Sequence, residues 1–324
     1  MIEHAEADGL SPAADGSFLE EALSGLTQPR KTLSPKWLYD ARGSALYELI
    51  CDLPEYYPFR TELRILERNA DPIAEAVGPG ALVFEFGAGS GRKTQRLLAS
   101  LAAPVAYLPV DISREALLRS AAGIAARFPG LEVRPVVGDF TNGVILPDAG
   151  LEPARRLAFF PGSTIGNFDP PDAIALLRRM GREAGPGGAL LIGVDAPKDR
   201  STLERAYDDA EGVTAAFDLN VLARMNRELG ADFHLGSFRH RAIWNERLSR
   251  VEMHLVSLRN QVAHVAGNTI PFRPGESIHT ESAYKWEPRA FDALAAIAGW
   301  RHVRSWSDER AWFSLRLYSW TAEA

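Results

Sequence analysis

The sequence has one cysteine in 324 residues, so neither a disulfide framework nor a cysteine-based metal site can form within the chain. Cys51 lies in an apolar helical pattern with Leu46, Leu49 and Ile50, and we interpret it as a small buried hydrophobic residue. No apolar run approaches the roughly 20 residues that a membrane span needs, and the N-terminus lacks the basic start and apolar stretch of a signal peptide. We expect a cytoplasmic protein without a membrane partner.

A surplus of basic residues is also lacking. The 36 Lys and Arg residues are outnumbered by 42 Asp and Glu residues, which gives a net charge of -6. Because affinity for nucleic acid depends on neutralising phosphates, this balance argues against a nucleic-acid partner and favours a small-molecule substrate. The seven histidines are scattered without metal-ligand spacing, and we expect no metal. The sequence leaves the oligomeric state open, with a monomer as one option.

From Thr61 onward, helical patterns alternate with short apolar runs, which is typical of a parallel sheet covered on both faces. The predicted strands cover residues 81–86, 105–111, 133–138, 156–161 and 188–194. Before them we expect a weakly held helix within residues 1–30 and a helical hairpin from Ser34 to about Asp52. The LPEYYP segment at 53–58 should then be a rigid connector that carries Tyr56 and Tyr57, because each proline disfavours helical geometry in the residue before it.

The pattern changes after Pro197. One long helix is predicted to about Leu229, followed by two alternating runs, RHRAIWNE and RVEMHLVSL, that indicate antiparallel strands and a second domain. A helix at 288–298 and strands at 301–306 and 313–320 could complete the first sheet.

The strongest local motif is FEFGAGSGRKT at residues 84–94, an apolar strand that ends in a glycine-rich turn and opens a helix. The dinucleotide fingerprint G-x-G-x-x-G fails here because its third glycine would fall on Arg92, which weighs against a nicotinamide dehydrogenase. The acidic-x-G-x-G-x-G pattern instead resembles the first motif of class I methyltransferases. In those enzymes the loop holds the amino-acid end of S-adenosylmethionine.

Two further signals follow the next strands. Asp111 lies 24 residues after Gly87, where a carboxylate can accept hydrogen bonds from ribose hydroxyls. Asp139 could accept a hydrogen bond from the amino group of adenine, and Phe140 could flank the adenine ring. Ligands of open α/β sheets bind beyond the carboxyl ends of the strands, so these three loops should converge on one crevice. Lys93 could pair there with the cofactor's carboxylate.

Four segments together resemble the L-histidine Nα-methyltransferases of ergothioneine biosynthesis. The resemblance runs from about Lys31 to the C-terminus. They are the glycine loop, LPEYYP, GSTIGN at 162–167 and RAYDDAEGVTAAF at 205–217. The resemblance implies an α/β, Rossmann-like class I methyltransferase sheet with a second, α+β substrate domain. We expect a methyltransferase domain at 61–196 plus 287–324 and a substrate-binding domain at 1–60 plus 197–286.

The resemblance also implies roles for individual residues. Cofactor contacts fall on Gly87, Gly89, Lys93, Asp111, Asp139 and Phe140. Substrate contacts fall on Tyr39, Tyr56, Asn167, Tyr207, Met253, Glu281 and Ser282. Asn167 and Tyr56 would orient the α-amine as the catalytic pair, with the tyrosine also able to receive its proton. Glu281 and Met253 would line the imidazole pocket, and three successive methylations would give the trimethyl betaine, hercynine.

One position departs from the family pattern. Where Thr-Glu-x-Ser is expected, the chain reads Thr280-Glu281-Ser282-Ala283, so Ser282 or a water would have to replace the missing hydroxyl, or the pocket prefers another ring. Methylation of another free amino acid or small amine therefore remains an alternative. A cofactor-binding module without turnover is a second, against which the intact Tyr56 and Asn167 argue. DNA base methylation is set aside because two residues interrupt its motif at 167–171 and the chain is acidic.

Overall fold

The computed structural model of the protein describes residues 13–147, 150 and 152–321. The chain divides into two compact units. Of the described residues, the first unit contains Tyr57–Lys198 and the segment that starts at Tyr284, and the second contains residues 13–56 and Asp199–Ala283. In the part of the chain described here, no helix is both long and apolar enough to span a membrane.

The described chain contains α-helices and short 3-10 helices. The α-helices are α1 (Ala13–Leu26), α2 (Ala41–Asp52), α3 (Tyr57–Arg68), α4 (Ala70–Val77), α5 (Arg92–Ser100), α6 (Arg114–Arg127), α7 (Pro170–Ala184), α8 (Arg200–Tyr207), α9 (Val213–Glu228) and α10 (Pro288–Ile297). The 3-10 helices are Pro35–Leu38, Thr164–Asn167 and Leu235–Ser237.

The strands alternate with helices in the first unit and follow one another in the second. They are β1 (Lys31–Thr32), β2 (Ala81–Phe86), β3 (Ala106–Asp111), β4 (Glu132–Val133), β5 (Val136–Val137), β6 (Arg155–Phe160), β7 (Ala189–Asp195), β8 (Phe238–Asn245), β9 (Arg250–Ser257), β10 (Gln261–Val265), β11 (Asn268–Phe272), β12 (Ser277–Tyr284), β13 (Trp300–Ser307) and β14 (Phe313–Trp320).

The first unit is built on a mixed sheet of order β13-β14-β7-β6-β2-β3-β4, with β5 also paired to β3. Its central strands are parallel, and every residue of β2 and β7 is buried, as expected for strands with helices on both faces. The C-terminal strands β13 and β14 add to β7 in antiparallel orientation. The predicted α/β class and the return of the tail to the first sheet are both confirmed.

The second unit holds a four-stranded sheet of order β1-β12-β9-β8 and a separate β10-β11 hairpin. β8 and β9 are antiparallel, as their alternating sequences predict. In β9 the buried residues are Val251, Met253, Leu255 and Ser257, with the residues between them only partly buried, so one face of this strand points into the unit.

Several predicted elements differ in detail. The strand predicted at 133–138 is split into β4 and β5, because Pro135 between them has no amide to donate to the ladder. The single helix predicted to Leu229 is interrupted between α8 and α9, where Gly212 adopts a φ of +74°. Tyr57 does not lie on a connector but opens α3, where Pro58 is tolerated because amides of the first turn have no helical partner.

The N-terminal helix prediction is only partly tested, since residues 1–12 lie outside the described residues. From Ala13 the helix forms as expected, but it is firmly held. Phe18 and Leu26 are buried, and the Phe18 ring stacks on Trp37 with 4.3 Å between ring centroids.

Candidate cofactor and amino-acid sites

The glycine loop that follows β2 contains backbone conformations that favour glycine. Gly87, Gly89 and Gly91 all have positive φ, at +76°, +50° and +67°. The Gly87 amide donates to the Val110 carbonyl at 2.8 Å, which holds the loop against the end of β3. The backbone of the loop is therefore bare of side chains at Gly87 and Gly89, where a ligand could approach closely.

Asp111 ties the neighbouring strand end to this loop. Its Oδ2 accepts a hydrogen bond from the Gly89 amide at 3.2 Å, and its Oδ1 accepts one from the Ser113 amide at 2.9 Å. Burial raises the pKa of the Asp111 carboxyl, and the two amides act in the opposite direction. An ionised carboxylate has about four acceptor positions, so acceptor capacity remains for a diol beside these backbone bonds.

The third loop brings Phe140 to Gly87. A Cβ built on Gly87 would lie 3.6 Å from Cε1 of Phe140, whose ring also stacks on Phe86 at 5.5 Å. The Asp139 carboxylate accepts bonds from the Thr141 amide at 2.8 Å and from Asn142 Nδ2 at 2.8 Å. Three of the predicted strand-end features thus meet at one edge of the sheet, and their donors, acceptors and aromatic face fit a nucleoside.

Lys93 has a partner that the sequence did not reveal. Its ammonium forms a buried ion pair with Glu62 of α3, and it lies 4.7 Å from the centroid of the Phe59 ring. Glu62 also accepts a hydrogen bond from the Gly162 amide at 2.7 Å, while its second oxygen has no hydrogen-bond partner. Burial raises the pKa of the Glu62 carboxyl, and Lys93 opposes that effect.

The same Gly162 begins the segment that leads to Asn167. Gly162 and Ser163 have φ values of +84° and +57°, and the chain then enters the 3-10 helix that ends at Asn167. Within it, a Cβ on Gly166 would lie 2.8 Å from the Tyr284 carbonyl oxygen. The Glu62 carboxylate therefore holds the start of this segment, and near its end the segment packs closely against the backbone of Tyr284.

A second buried charge cluster in the first unit was not predicted. Asp195, at the end of β7, accepts a hydrogen bond from the Tyr57 hydroxyl at 2.6 Å. It also forms ion pairs with Lys198 at 2.6 Å and with Lys285 at 3.0 Å. Burial lowers the pKa of Lys198 to about 8, although Asp195 opposes this. The pKa of Asp195 is lowered, because the two lysines and the Tyr57 hydrogen bond together outweigh its complete burial. The signal missed in the sequence is the run Asp195-Ala-Pro-Lys198 at a strand end.

In the second unit, four tyrosines form a continuous aromatic chain. Ring centroids are 5.7 Å apart for Tyr39 and Tyr47, 6.3 Å for Tyr47 and Tyr56, and 5.9 Å for Tyr56 and Tyr207. Tyr47 is the member that sequence reasoning missed. Tyr47 lies in the middle of α2, where an aromatic residue is ordinarily taken as part of the apolar face of a helix.

Tyr56 is a neutral phenol in this environment. Burial raises its pKa well above the usual range, and nearby Tyr207 and Glu281 add to the effect. Only the phenolate form could accept a proton readily, and the raised pKa makes that form scarce at neutral pH. The Tyr56 oxygen can still accept a hydrogen bond, so the ring is better suited to orient an amine than to deprotonate it.

The sheet of the second unit carries the remaining predicted residues. Met253 and Glu281 are buried, at 2% and 8% exposure. The Ser282 hydroxyl lies 3.1 Å from Nε2 of His279, and Ala283 packs in an apolar cluster with Leu203, Ala242 and Val251, against which Tyr207 lies. Ala283, rather than Ser282, therefore shares its apolar surroundings with Tyr207.

Comparison with known proteins identifies the family to which the chain is similar. Residues 18–320 match the family described as SAM-dependent, histidine-specific methyltransferases. The chain is 42% identical to a histidine N-alpha-methyltransferase of Mycolicibacterium smegmatis over 94% of this chain and 95% of the relative. It is 40% identical to the enzyme of the same name from Mycobacterium tuberculosis, over 92% and 93%.

A more distant relative bears another amino acid in its name. The L-tryptophan methyltransferase of Psilocybe serbica is 30% identical, over 96% of this chain and 94% of that protein. The family match covers most of the chain and includes the glycine loop, the Asn167 segment and the tyrosines. The chain belongs to the family of SAM-dependent, histidine-specific methyltransferases.

Proposed function

We propose that this protein transfers methyl groups from S-adenosylmethionine to the α-amino group of L-histidine, three times in succession, to give the trimethyl betaine. The observation that carries the proposal is the buried Glu281 carboxylate in the same unit as Tyr56 and Tyr207. A carboxylate at this place can accept a hydrogen bond from an imidazole N–H of the substrate, and a site that makes such a bond rejects analogues without the N–H.

S-adenosylmethionine supplies an electrophilic sulfonium methyl group. We assign its binding to the three strand-end loops of the first unit. Gly87 and Gly89 would leave room for its amino-acid part, Asp111 would accept from the ribose hydroxyls, and Asp139 with Phe140 would hold the adenine. Lys93 would serve the carboxylate of the cofactor while it remains paired with Glu62.

The amino acid would be oriented by hydrogen bonds rather than activated by a strong base. The Tyr56 oxygen would accept an N–H of the α-amine, which directs the nitrogen lone pair, and the Tyr207 hydroxyl would donate to the carboxylate. Tyr39, at the other end of the aromatic chain, would complete the pocket. Because the positive charge passes from sulfur to nitrogen, no new ion must be stabilised, and orientation can supply roughly 7 to 11 kcal/mol of barrier reduction.

Asn167 has a separate basis in the proposal. The family resemblance assigns its amide to the amino and carboxylate groups of the substrate. The hydrogen bond from the Gly162 amide to Glu62 and the close packing of Gly166 against Tyr284 support such a role. Replacement of Asn167 by Asp would keep the shape and remove the donor, so we expect weaker binding of the carboxylate.

A second candidate, methylation of another aromatic amino acid, is favoured by one observation. Ala283 offers no hydroxyl and packs among apolar side chains, including partly buried Tyr207 and Trp244. Met253 is equally apolar and buried. A larger aromatic ring could use these apolar contacts, whether or not it also offers Glu281 an N–H.

The deciding experiment incubates purified protein with S-adenosylmethionine and pooled amino acids, and identifies by mass spectrometry which one gains methyl groups and how many. Mono-, di- and trimethylated histidine is the expected result. Methylation of tryptophan or tyrosine in place of histidine would establish the second candidate. Tyr56→Phe should slow every methylation step, and unchanged turnover in this variant would remove Tyr56 from the reaction.

A further inference from the structure

His240 of β8 lies between two groups that can only accept hydrogen bonds. Its Nδ1 lies 2.7 Å from Oδ2 of Asp218 on α9, and its Nε2 lies 2.7 Å from the carbonyl oxygen of Tyr207 at the end of α8. A neutral imidazole carries one N–H and can satisfy only one of these acceptors. Both contacts are satisfied together when the ring carries two protons.

We propose that His240, held as an imidazolium between the Asp218 carboxylate and the Tyr207 carbonyl, is a positioning residue that fixes the Tyr207 ring for binding of the amino-acid substrate. The inference rests on the proposed function in one respect, which is that Tyr207 contacts the substrate. It adds a charged support for Tyr207, built from the side chains of His240 and Asp218, which lie outside the family motif described above.

The surroundings of His240 favour the charged ring. The side chains of His240 and Asp218 are 1% and 0% exposed, so water does not compete for their hydrogen bonds. Asp208, which follows Tyr207, adds a second negative charge nearby. On the same strand, Arg239 and Arg241 are exposed, whereas His240 is buried. The imidazolium also lies at the C-terminal end of α8, where the helix dipole favours a cation.

These groups outweigh the cost of burial. Burial lowers the pKa of His240, whereas the hydrogen bond and charge of Asp218 raise it, and the net pKa is above the ordinary value of 6.5. When the pH rises through this pKa, the ring loses a proton and an unprotonated nitrogen then faces either Asp218 or the Tyr207 carbonyl. The end of α8 loses one of its supports, so the KM for the amino acid should rise while kcat changes little.

Two variants separate charge from shape. In Asp218→Asn, a neutral ring can keep both contacts, because Nε2–H donates to the Tyr207 carbonyl while Nδ1 accepts from the new amide. This variant should bind substrate well at neutral pH and lose the rise of KM at alkaline pH. Substrate groups titrate equally in both proteins, so the difference between the two profiles isolates His240. In His240→Gln only one of the two acceptors can be served, and KM should rise about tenfold.

The chain supplies a matched control in the same unit. His264 pairs with Asp232 at 2.8 Å, but both side chains are more than half exposed. His264→Gln should therefore leave KM and its pH profile unchanged. A purely architectural role for His240 would instead reduce the yield of folded enzyme without separating KM from kcat.

The proton itself can be followed without turnover. In an NMR titration of the imidazole resonances, the signal missing from His240→Gln identifies His240. We expect it to titrate above 6.5 in the unaltered protein and lower in Asp218→Asn. Titration at or below 6.5, or no change in Asp218→Asn, would overturn the inference. With L-histidine turned over normally, an unchanged KM in His240→Gln would overturn it too. Because the titration needs no methyl acceptor, failure of histidine as a substrate is distinguishable from failure of this inference.

Discussion

The Asp111 carboxylate and the Gly89 amide are hydrogen-bonded, with 3.2 Å between Oδ2 and the nitrogen. The bond joins the end of β3 to the loop that follows β2, so the two proposed cofactor contacts support one another. A change at Asp111 should consequently disturb the glycine loop as well as remove an acceptor.

Asp111→Ala should weaken the binding of S-adenosylhomocysteine by at least about tenfold, equivalent to about 1.4 kcal/mol. The variant loses both the acceptor for the ribose and the bond that fixes Gly89. Isothermal titration calorimetry measures the effect. Glu115→Ala, at the exposed start of α6, is the control and should leave the affinity unchanged. Equal affinities in all three proteins would exclude Asp111 from the cofactor site.

Glu62→Ala should lower the free energy of unfolding by about 3 to 5 kcal/mol, because it leaves the buried Lys93 ammonium without its anion. The matched control is Glu309→Ala, which breaks an exposed ion pair with Arg68 and should cost less than about 1 kcal/mol. Urea denaturation monitored by tryptophan fluorescence measures both values. Similar losses in the two variants would show that the Glu62–Lys93 pair contributes no more than a surface contact.

Glu281→Ala should reduce kcat/KM for L-histidine at least a hundredfold, equivalent to about 2.7 kcal/mol. A site that pairs with an N–H loses this much when the pairing group is removed. Steady-state kinetics with the amino acid varied at saturating S-adenosylmethionine gives the ratio. Glu246→Ala, an exposed carboxylate in the same unit, should behave as the unaltered enzyme. A ratio unaffected by loss of Glu281 would place the imidazole elsewhere.

Glu85, the acidic residue of the glycine motif, should make stability depend on pH. Burial raises its pKa from 4.5 to about 8, while hydrogen bonds from Thr94 and Tyr107 oppose the shift. Because the folded state then binds a proton that the unfolded state releases, the stabilising contribution is complete below pH 4.5. It is lost as the pH rises to about 8, by at most about 1.4 kcal/mol per pH unit.

Glu85→Gln keeps an oxygen for Thr94 and Tyr107 but cannot ionise. Denaturant titrations of both proteins between pH 5 and 8 should therefore show the unaltered protein losing stability relative to the variant as the pH rises. Subtraction of the two curves removes the contributions of all other titrating groups. Parallel curves would mean that Glu85 ionises in the folded protein at its ordinary pKa.

Much of the sheet could be predicted from local pattern. The prediction for β2 matches its ends, and those for β3, β6 and β7 are displaced by one residue at most, because largely buried strands appear in the sequence as short apolar runs bounded by turn residues. The breaks at Pro135 and after Tyr207 were missed. Each break has a single residue at it, Pro135 without an amide and Gly212 with a positive φ, and a periodicity count over the whole segment gives such a residue little weight.

The proximity of the candidate site residues could be predicted only where they follow strand ends directly, and their roles stay predictions. Gly87, Asp111 and Phe140 follow strand ends directly, and parallel strands bring such ends to one edge. Glu62 and Tyr47 lie within amphipathic helices, where a polar or aromatic residue is unremarkable until its partner is known. Lys93, the partner of Glu62, is 31 residues away, and their pairing is set by tertiary packing.

The pairing of β1 with β12 has a consequence for synthesis. Lys31 lies beside Ile278 in that ladder, 247 residues further along the chain. At the usual 5 to 20 residues per second, a ribosome needs roughly 12 to 50 s to make that interval. Throughout this time β1 has no neighbouring strand to pair with. A nascent chain stalled before residue 278 should thus be an especially good client for holding chaperones.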